Sequence, residues 1–407
     1  MDLAAANGHL RVVEWLATNR QEGCTLYAMD RAAANNHMRV LEWLHLNLQA
    51  PCSATAIDSA AENGYLRVIE WLDSQMQGTS TRRGMDRAAE NGHIKVVEWM
   101  HTHRLHGCSS EAFDYAASSG HLHVVEWLHK HRPTQNATRY AMDSAAANGH
   151  LEVVEWLFVN RGEGCTKKAM LGAAGNGHSK VVEWLHFQGL PRGRVMDAAA
   201  QNGHLRLLEW LHANNVGGCT VNAMDQAAGQ GHLHIIEWLH RNRQDGCTKA
   251  AFQHAAENGH LFILEWLHRN RTEGCTKYAA GRAAQNGYLG VVEWMFQNKP
   301  ESCPSHAIEC AAKAGQLLVI RWLEKSGLQR FSSYALTLAC QNNQFHLVKW
   351  FHKIKRIHEQ EAALIRRVAS ANGHKDLVRW VALEFPKLAI SGDVEKKKRG
   401  LKTNVAL

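Results

Sequence analysis

One stretch recurs along this chain and constrains everything else: Gly-His-Leu-x-Val-Val-Glu-Trp-Leu, first seen at Gly8 to Leu16. All 14 tryptophans belong to copies of it, from Trp15, Trp43 and Trp71 through to Trp322, Trp350 and Trp380. Ten of the thirteen Trp-to-Trp intervals are 28 residues, and the others are 29, 26 and 30. A fixed period of this size marks stacked structural repeats, so the sequence predicts about fourteen of them in one continuous array.

Each period reads as two short helices. Thr25 is placed to cap a first helix through Met29, Ala32 and Ala33, whose spacing is that of one helical face. That helix stops at Asn36, a position held by Gly in twelve repeats and by Asn36 and Asn343 in two. Gly and Asn tolerate the left-handed turn that ends a helix, so positive φ is expected there. A second helix then carries Val40, Leu41, Trp43 and Leu44 to about Leu48. Two helices, a tight turn and a short loop fill the period, leaving no room for strands. The Trp lies within the apolar pattern of the second helix. It is therefore expected in the core, at about 4–6 kcal/mol gross per repeat, rather than on an exposed ligand platform.

The repeated Ala-Ala-x-Asn-Gly-His-Leu-x-Val-Val-Glu-Trp-Leu run, as it ends at Leu157, resembles the Ala-Ala-x-x-Gly-His-x-x-Val-Val-x-x-Leu-Leu core of ankyrin repeats. The likeness extends over nearly the whole chain. The period is 28 rather than 33, Ala-Met-Asp (Ala28 to Asp30) replaces the usual Thr-Pro-Leu-His opening, and one Leu has become Trp. The five missing residues fall where ankyrin repeats carry their β-hairpin fingers. The resemblance thus implies an all-α, helix-turn-helix solenoid with fingers absent or minimal, and a role as a protein-interaction scaffold.

The array is expected to span residues 1–386, followed by a basic, disordered tail over 387–407. Met1-Asp2 matches the Met-Asp of later repeats, so the chain opens inside a first helix without a polar capping repeat, as a segment of a longer product would. No signal peptide or membrane span is legible. Eight of the 10 cysteines follow a Trp by nine residues, one per repeat, too far apart for disulfides. They are read as reduced, buried packing residues of an intracellular protein, with Cys310 and Cys340 as packing variants. Ten histidines follow the turn residue, among them His9, His37 and His260, and are read as structural; no convergent metal-ligand set or cofactor site is expected.

On the second helix, Lys or Arg lies three residues before Glu (Arg11 and Glu14, Arg39 and Glu42, Arg67 and Glu70, Lys95 and Glu98), which suggests a solvated wall of ion pairs. That Glu becomes Arg321, Lys349 and Arg379 in the last three repeats. Residues 335–407 hold 14 Lys and Arg against 6 Asp and Glu, which accounts for the whole net charge of +8. Lys396, Lys397, Lys398 and Arg399 read first as a solvated tail and second as a nuclear import signal.

No nucleophile elbow, phosphate-binding loop or isolated carboxylate pair is present, so the chain is read as non-catalytic. Contacts should come from positions that vary within a fixed frame. Two residues after the Met these are Arg31, Ser59, Arg87, Tyr115, Ser144, Gln226, His254 and Arg282; just after the Thr cap they are Tyr27, Lys167, Lys168, Asn222, Lys249, Lys277 and Tyr278. The expectation is a monomer that binds a protein along its concave face, with Arg31, Arg87, Tyr115, Gln226, His254, Arg282, Tyr27, Lys167, Lys249, Lys277 and Tyr278 as contacts. Neither a small-molecule substrate nor a membrane is expected. The alternative is a nucleus-associated or nucleic-acid-contacting chain that acts through its basic C-terminal repeats and tail. The cytoplasm is the expected compartment, or the nucleus if the tail directs import.

Overall fold

The structure, a computed structural model, describes residues 1–103, 107–132, 137–303, 306–329, 332–354 and 356–386. Lys396 to Arg399 and the whole expected tail lie outside the described residues. Among the described residues there are 28 α-helices, one 3-10 turn at Pro300–Ser302 and no strand. The all-α, finger-free helix-turn-helix stack is therefore what the chain forms. It divides into two units, Met1–Gly218 and Cys219–Leu407. The first runs in helix pairs from Asp2–Ala6 to Leu205–Ala213, the second from Val221–Gln230 to Lys375–Glu384.

The local signals act as their chemistry dictates. The Thr25 hydroxyl accepts from the Tyr27 amide and caps the helix Leu26–Ala34. After that helix Asn36 has φ 59°, as Gly8 has 72° and Asn343 has 54° in their own repeats. Positive φ is only half of the demand for glycine. A Cβ on Gly8 would lie 2.6 Å from Nδ1 of His37, because the side chain after the turn of one repeat, His in most and Tyr288, Gln316 or Gln344 in others, lies against the turn of the repeat before it. The same rings bond backward: His204 Nε2 lies 2.9 Å from the Gly175 carbonyl, and His260 Nε2 lies 3.0 Å from that of Gly229. Asn of the turn does likewise, Asn91 Nδ2 donating to the Glu62 carbonyl at 2.7 Å. The Asn-Gly-His run is thus a clasp between neighbouring repeats.

Within each unit, every first helix packs closely on the next first helix, whereas second helices touch one another only lightly. Tighter spacing on one row makes the first-helix row the inner side of each unit's own curve. Between the rows, Ala28, Met29, Ala32 and Ala33 of one helix meet Val40, Leu41 and Leu44 of the other, all with at most 1% of their surface exposed.

The tryptophans depart from expectation. Trp15 is 57% exposed, and the other thirteen are half-buried rather than core. At 100° per residue, Val40, Leu41 and Leu44 centre the inward stripe, and Trp43 lies roughly 110° from that centre, at its rim. There many of the indoles receive the edge of a ring from the preceding repeat: His45 on Trp71 at 5.6 Å, His129 on Trp156 at 5.2 Å, Phe158 on Trp184 at 5.2 Å and His240 on Trp266 at 5.2 Å. The ladder is aromatic edge-to-face packing along the second-helix row, a contact worth about 0.5–1.5 kcal/mol beyond its buried area.

Two further expectations are corrected. Among the described residues, none of the four Lys/Arg and Glu pairs of the outer wall closes into a salt bridge. The pairs that approach run from Glu to Arg four residues on, Glu237 to Arg241 and Glu265 to Arg269, each at 3.8 Å and well solvated. In this order the charges also suit the helix dipole. The cysteines are free thiols, but only Cys108, Cys219, Cys247 and Cys340 are buried, and the remaining six are half-buried.

Candidate interaction surface

The surface of the first-helix row is built around one carboxylate per repeat. Asp30 and its equivalents lie one residue after the Met, and each reaches forward to the cap of the next first helix. Asp143 accepts from the Thr166 amide at 2.7 Å and from its hydroxyl at 2.6 Å. Asp30 takes Ser53, Asp58 takes Thr81, Asp86 takes Ser109, Asp114 takes Thr138 and Asp225 takes Thr248 in the same way. The cap hydroxyl donates to this Asp while accepting from its own helix, so one side chain serves two repeats. Asp30, Asp86, Asp114, Asp143 and Asp225 are buried. Burial raises the carboxyls of Asp58, Asp86 and Asp114 above the ordinary value, against the pull of the cap's hydrogen bonds.

The strap carboxylate is lost at Leu171 in the first unit and at Gln253, Gly281 and Thr337 in the second, while Glu309 keeps it and accepts from Ser332. In the first unit Leu171 stands where the Asp would be, and the next first helix, Val195–Gln201, begins at Arg194 without a side-chain cap. Leu171 itself closes that junction, its side chain lying where a Cβ on Gly193 would come within 2.9 Å. In the second unit the Asp is replaced twice running, by Gln253 on the helix Lys249–Glu257 and by Gly281 on the helix Ala279–Asn286. Gln253 still accepts from the Thr276 hydroxyl at 2.8 Å, but without charge.

Here the surface opens into a cleft of about 410 Å³. Gln253 lines one side, and Tyr278, Gly281, Arg282 and Gln285 form the floor. His306, Cys310 and Lys313, at the start of and along the helix Ala307–Ala314, form the far wall. Cys310 is therefore a half-buried cleft residue and not the packing variant expected; burial raises its thiol pKa. The packing reading holds for Cys340, which is buried and has its thiol pushed up to about 12. Protonated thiols of this kind are poor nucleophiles. Among the described residues, no group of three or more His, Cys, Asp and Glu could hold a metal ion.

The family model for ankyrin repeats, many copies, matches residues 1–45, 85–129, 113–158 and 196–240. Those segments match as ankyrin repeats. No curated protein matches the sequence. Among solved structures, the pentatricopeptide repeat protein PPR10 in complex with an 18-nt psaJ RNA element aligns over 92% of this chain at 11% identity with a TM-score of 0.40. The same protein from maize aligns over 95% at 11% identity with a TM-score of 0.35. The chain spans 66% and 68% of the lengths of those two chains.

The expected contact residues lie on first helices or at their starts, in two separate units. In the first unit Arg31, Tyr27 and Lys167 are exposed. Arg87 pairs with Glu90 and lies over the Tyr115 ring at 5.8 Å, so these two form one patch across adjacent repeats. In the second unit Lys277 lies over the Tyr278 ring at 5.2 Å, and Tyr278 and Arg282 share the cleft. Arg282 also approaches Glu257 at 3.7 Å while remaining half exposed. His254 and Gln226 are half-buried, and His254 Nδ1 contacts the Asp225 carbonyl at 3.4 Å, so it serves the frame as much as the surface. Lys249 is exposed and is not among the cleft residues. Sequence reasoning missed Gln253, Gln285, His306 and Lys313. The available signal was the break in the Asp register at Gln253 and Gly281, which the Met-Asp run makes visible.

Proposed function

We propose that this chain is a non-catalytic scaffold whose ankyrin repeats bind a protein partner along the inner, first-helix row. The observation that carries this reading is the division of labour on the first helix. Met and Asp are consumed in core and strap, while the residue two after the Met faces solvent and changes from Arg31 to Arg87, Tyr115 and Arg282. Side chains of these types, half-buried at their bases and paired across repeats as Arg87 and Tyr115 are, suit anchor contacts in protein interfaces. The reading takes the protein to be monomeric and intracellular. Among the described residues no helix is long and apolar enough to cross a membrane.

The test is affinity capture from the native cell, followed by identification of what is bound. Replacing Arg31, Arg87 and Tyr115 together by Ala should lose the partner while the helical content is unchanged. A partner retained by that variant, yet lost when the second-helix residues Glu126, Glu155 and Glu183 are replaced, would put the binding face on the other row.

A second reading rests on Arg321, Lys349 and Arg379, exposed cations on consecutive second helices near the C-terminus. Arg321 lies over Trp350 at 5.5 Å and Lys349 over Phe345 at 4.3 Å, an arrangement of cations and rings that could serve nucleic acid. Phosphate binding of that kind weakens steeply with salt, so a retention profile flat between low and physiological salt removes it.

A further inference from the structure

We propose that the cleft between the helices Lys249–Glu257, Ala279–Asn286 and Ala307–Ala314 is a subsite for an acidic peptide segment, one that presents Asp or Glu side chains in extended form. This rests on the scaffold reading above and names the chemistry of one stretch of its partner.

Three observations converge on it. The first is charge. Everywhere that the Asp strap is kept, a carboxylate lies under the first-helix surface; at Gln253 and Gly281 it is missing in two consecutive repeats. What remains facing the space is Arg282, Lys313 and the His306 imidazole, with Lys277 exposed beside the Tyr278 ring. Of the neighbouring acids, Glu257 stands 3.7 Å from Arg282, and Glu309 accepts from the Ser332 hydroxyl at 2.9 Å through one oxygen, which leaves its charge in place. The cleft lining therefore holds Arg282, Lys313 and His306 and no carboxylate, with Glu257 and Glu309 as the acids beside it. A partner carboxylate would meet Arg282 with the planar, two-pronged geometry that guanidinium favours.

The second is hydrogen-bond type. Gln253 and Gln285 both line the cleft, and a carboxamide offers both donor and acceptor to a peptide group. The carbonyl of Gln253 accepts from Thr276, and the same side chain lines the cleft. Neutral amides of this kind suit a peptide backbone, and the Tyr278 ring, half exposed, gives an apolar face against which it can lie.

The third is size. A volume of about 410 Å³ falls in the range of real ligand pockets, and its lining comes from three successive first helices and the residues that start them. The next space on a first-helix surface, against Asp58, Ser59, Arg83 and Arg87 in the first unit, is about 90 Å³ and keeps its Asp. Both arginine-bearing surfaces are thus comparable in cations, and they differ in the strap carboxylate and in room.

The test uses the full chain and a fluorescein-labelled ten-residue peptide of alternating Glu and Ser, read by fluorescence anisotropy. The intact protein should bind it, and Arg282→Glu with Lys313→Glu should weaken binding at least tenfold. Gly281→Asp, which returns a carboxylate to the floor, should weaken it by several fold. Arg282→Lys with Lys313→Arg should stay within about threefold of the parent. Charge reversal far from the cleft, at Arg11 and Arg39, should leave it unchanged. No binding to the intact protein, undiminished binding to the cleft variants, or an equal loss in the Arg11 and Arg39 control would overturn the assignment. A helical spectrum shared by all variants excludes misfolding as the cause. The captured partner separates the two readings. If it is lost with Arg31, Arg87 and Tyr115 replaced but kept with the cleft charges reversed, the scaffold stands and the cleft assignment falls. If no first-helix variant releases it, the scaffold reading falls.

Discussion

The junction at Leu171 and the junction at Gly281 have lost the same bond and have met the loss in opposite ways. At Leu171 the absent Asp is matched by an absent Thr cap, the Trp-to-Trp interval shortens to 26, and the leucine lies on Gly193. Polar donors and their acceptor vanished together, which is nearly neutral, whereas removal of one partner alone leaves a costly orphan. At Gln253 and Gly281 the 28-residue interval is kept, the Thr276 hydroxyl still has a neutral acceptor, and a cleft rimmed by cations takes the place of the carboxylate. Loss of a frame contact is repair when an apolar group fills the gap. It makes a surface when nothing fills it and charged side chains border it.

Replacement of a strap that is intact gives the largest effect. Asp143→Ala removes an acceptor of two short, charge-assisted bonds and leaves the Thr166 amide and hydroxyl without it, so the loss should be about 2–4 kcal/mol in a denaturant melt. A loss below about 0.5 kcal/mol would mean that the straps do not hold the repeats together, and the comparison would lose its basis. Leu171→Ala should cost about 1–2 kcal/mol, since the side chain is half-buried and its role is to fill the Gly193 junction. An unchanged melt would show that the first junction is not repaired by packing. Lys277→Ala, on the rim of the second, should change stability by less than about 0.5 kcal/mol and act on peptide binding instead. A loss equal to that of Leu171→Ala would make the rim part of the frame.

The smallest effect is a pH dependence. The folded-state pKa of Asp86 is raised above its unfolded value, chiefly by burial, so the folded state holds more protons between the two values. Stability contributed by this group therefore grows as pH falls from neutral through the raised pKa, the opposite of an acid held by a salt bridge. The stability gap between the parent and Asp86→Asn should widen on going from pH 7 toward the carboxylate range, because the Asn variant lacks the titration. A gap that narrows would mean that the hydrogen bonds from Ser109 outweigh burial.

The sequence made the frame legible because its signals are local. The period, the Thr25 cap, the Gly and Asn turn residues and the absence of room for fingers each follow from neighbours within one repeat. What lay between repeats was harder to see. Asp30 looked like a variant of a family opening, and its bond to Ser53 spans 23 residues. His37 was read as structural, but its seat on Gly8 of the preceding repeat needs the stack to exist. Trp43 was misplaced because an apolar stripe has edges, and a residue three after the first valine falls on the rim instead of the centre. For that reason Trp266→Ala should cost about 1–2 kcal/mol, not the roughly 3–5 kcal/mol of a fully buried indole. Of the candidate surface, the first-helix row was legible as the positions that vary. The cleft was not, since its rim comes from three helices and its cause is a missing carboxylate, a gap in a pattern rather than a motif.

The central claim, that second helices and straps are frame while the first-helix row binds, is tested most directly by hydrogen–deuterium exchange on the full chain with and without its captured partner. The account predicts added protection in the segments around Leu26–Ala34, Arg82–Glu90, Ser110–Ser118 and Ala279–Asn286, with the second helices Leu122–His131 and Leu261–Asn270 unchanged. Protection confined to the second helices, with the first-helix segments exchanging as in the free protein, would contradict it.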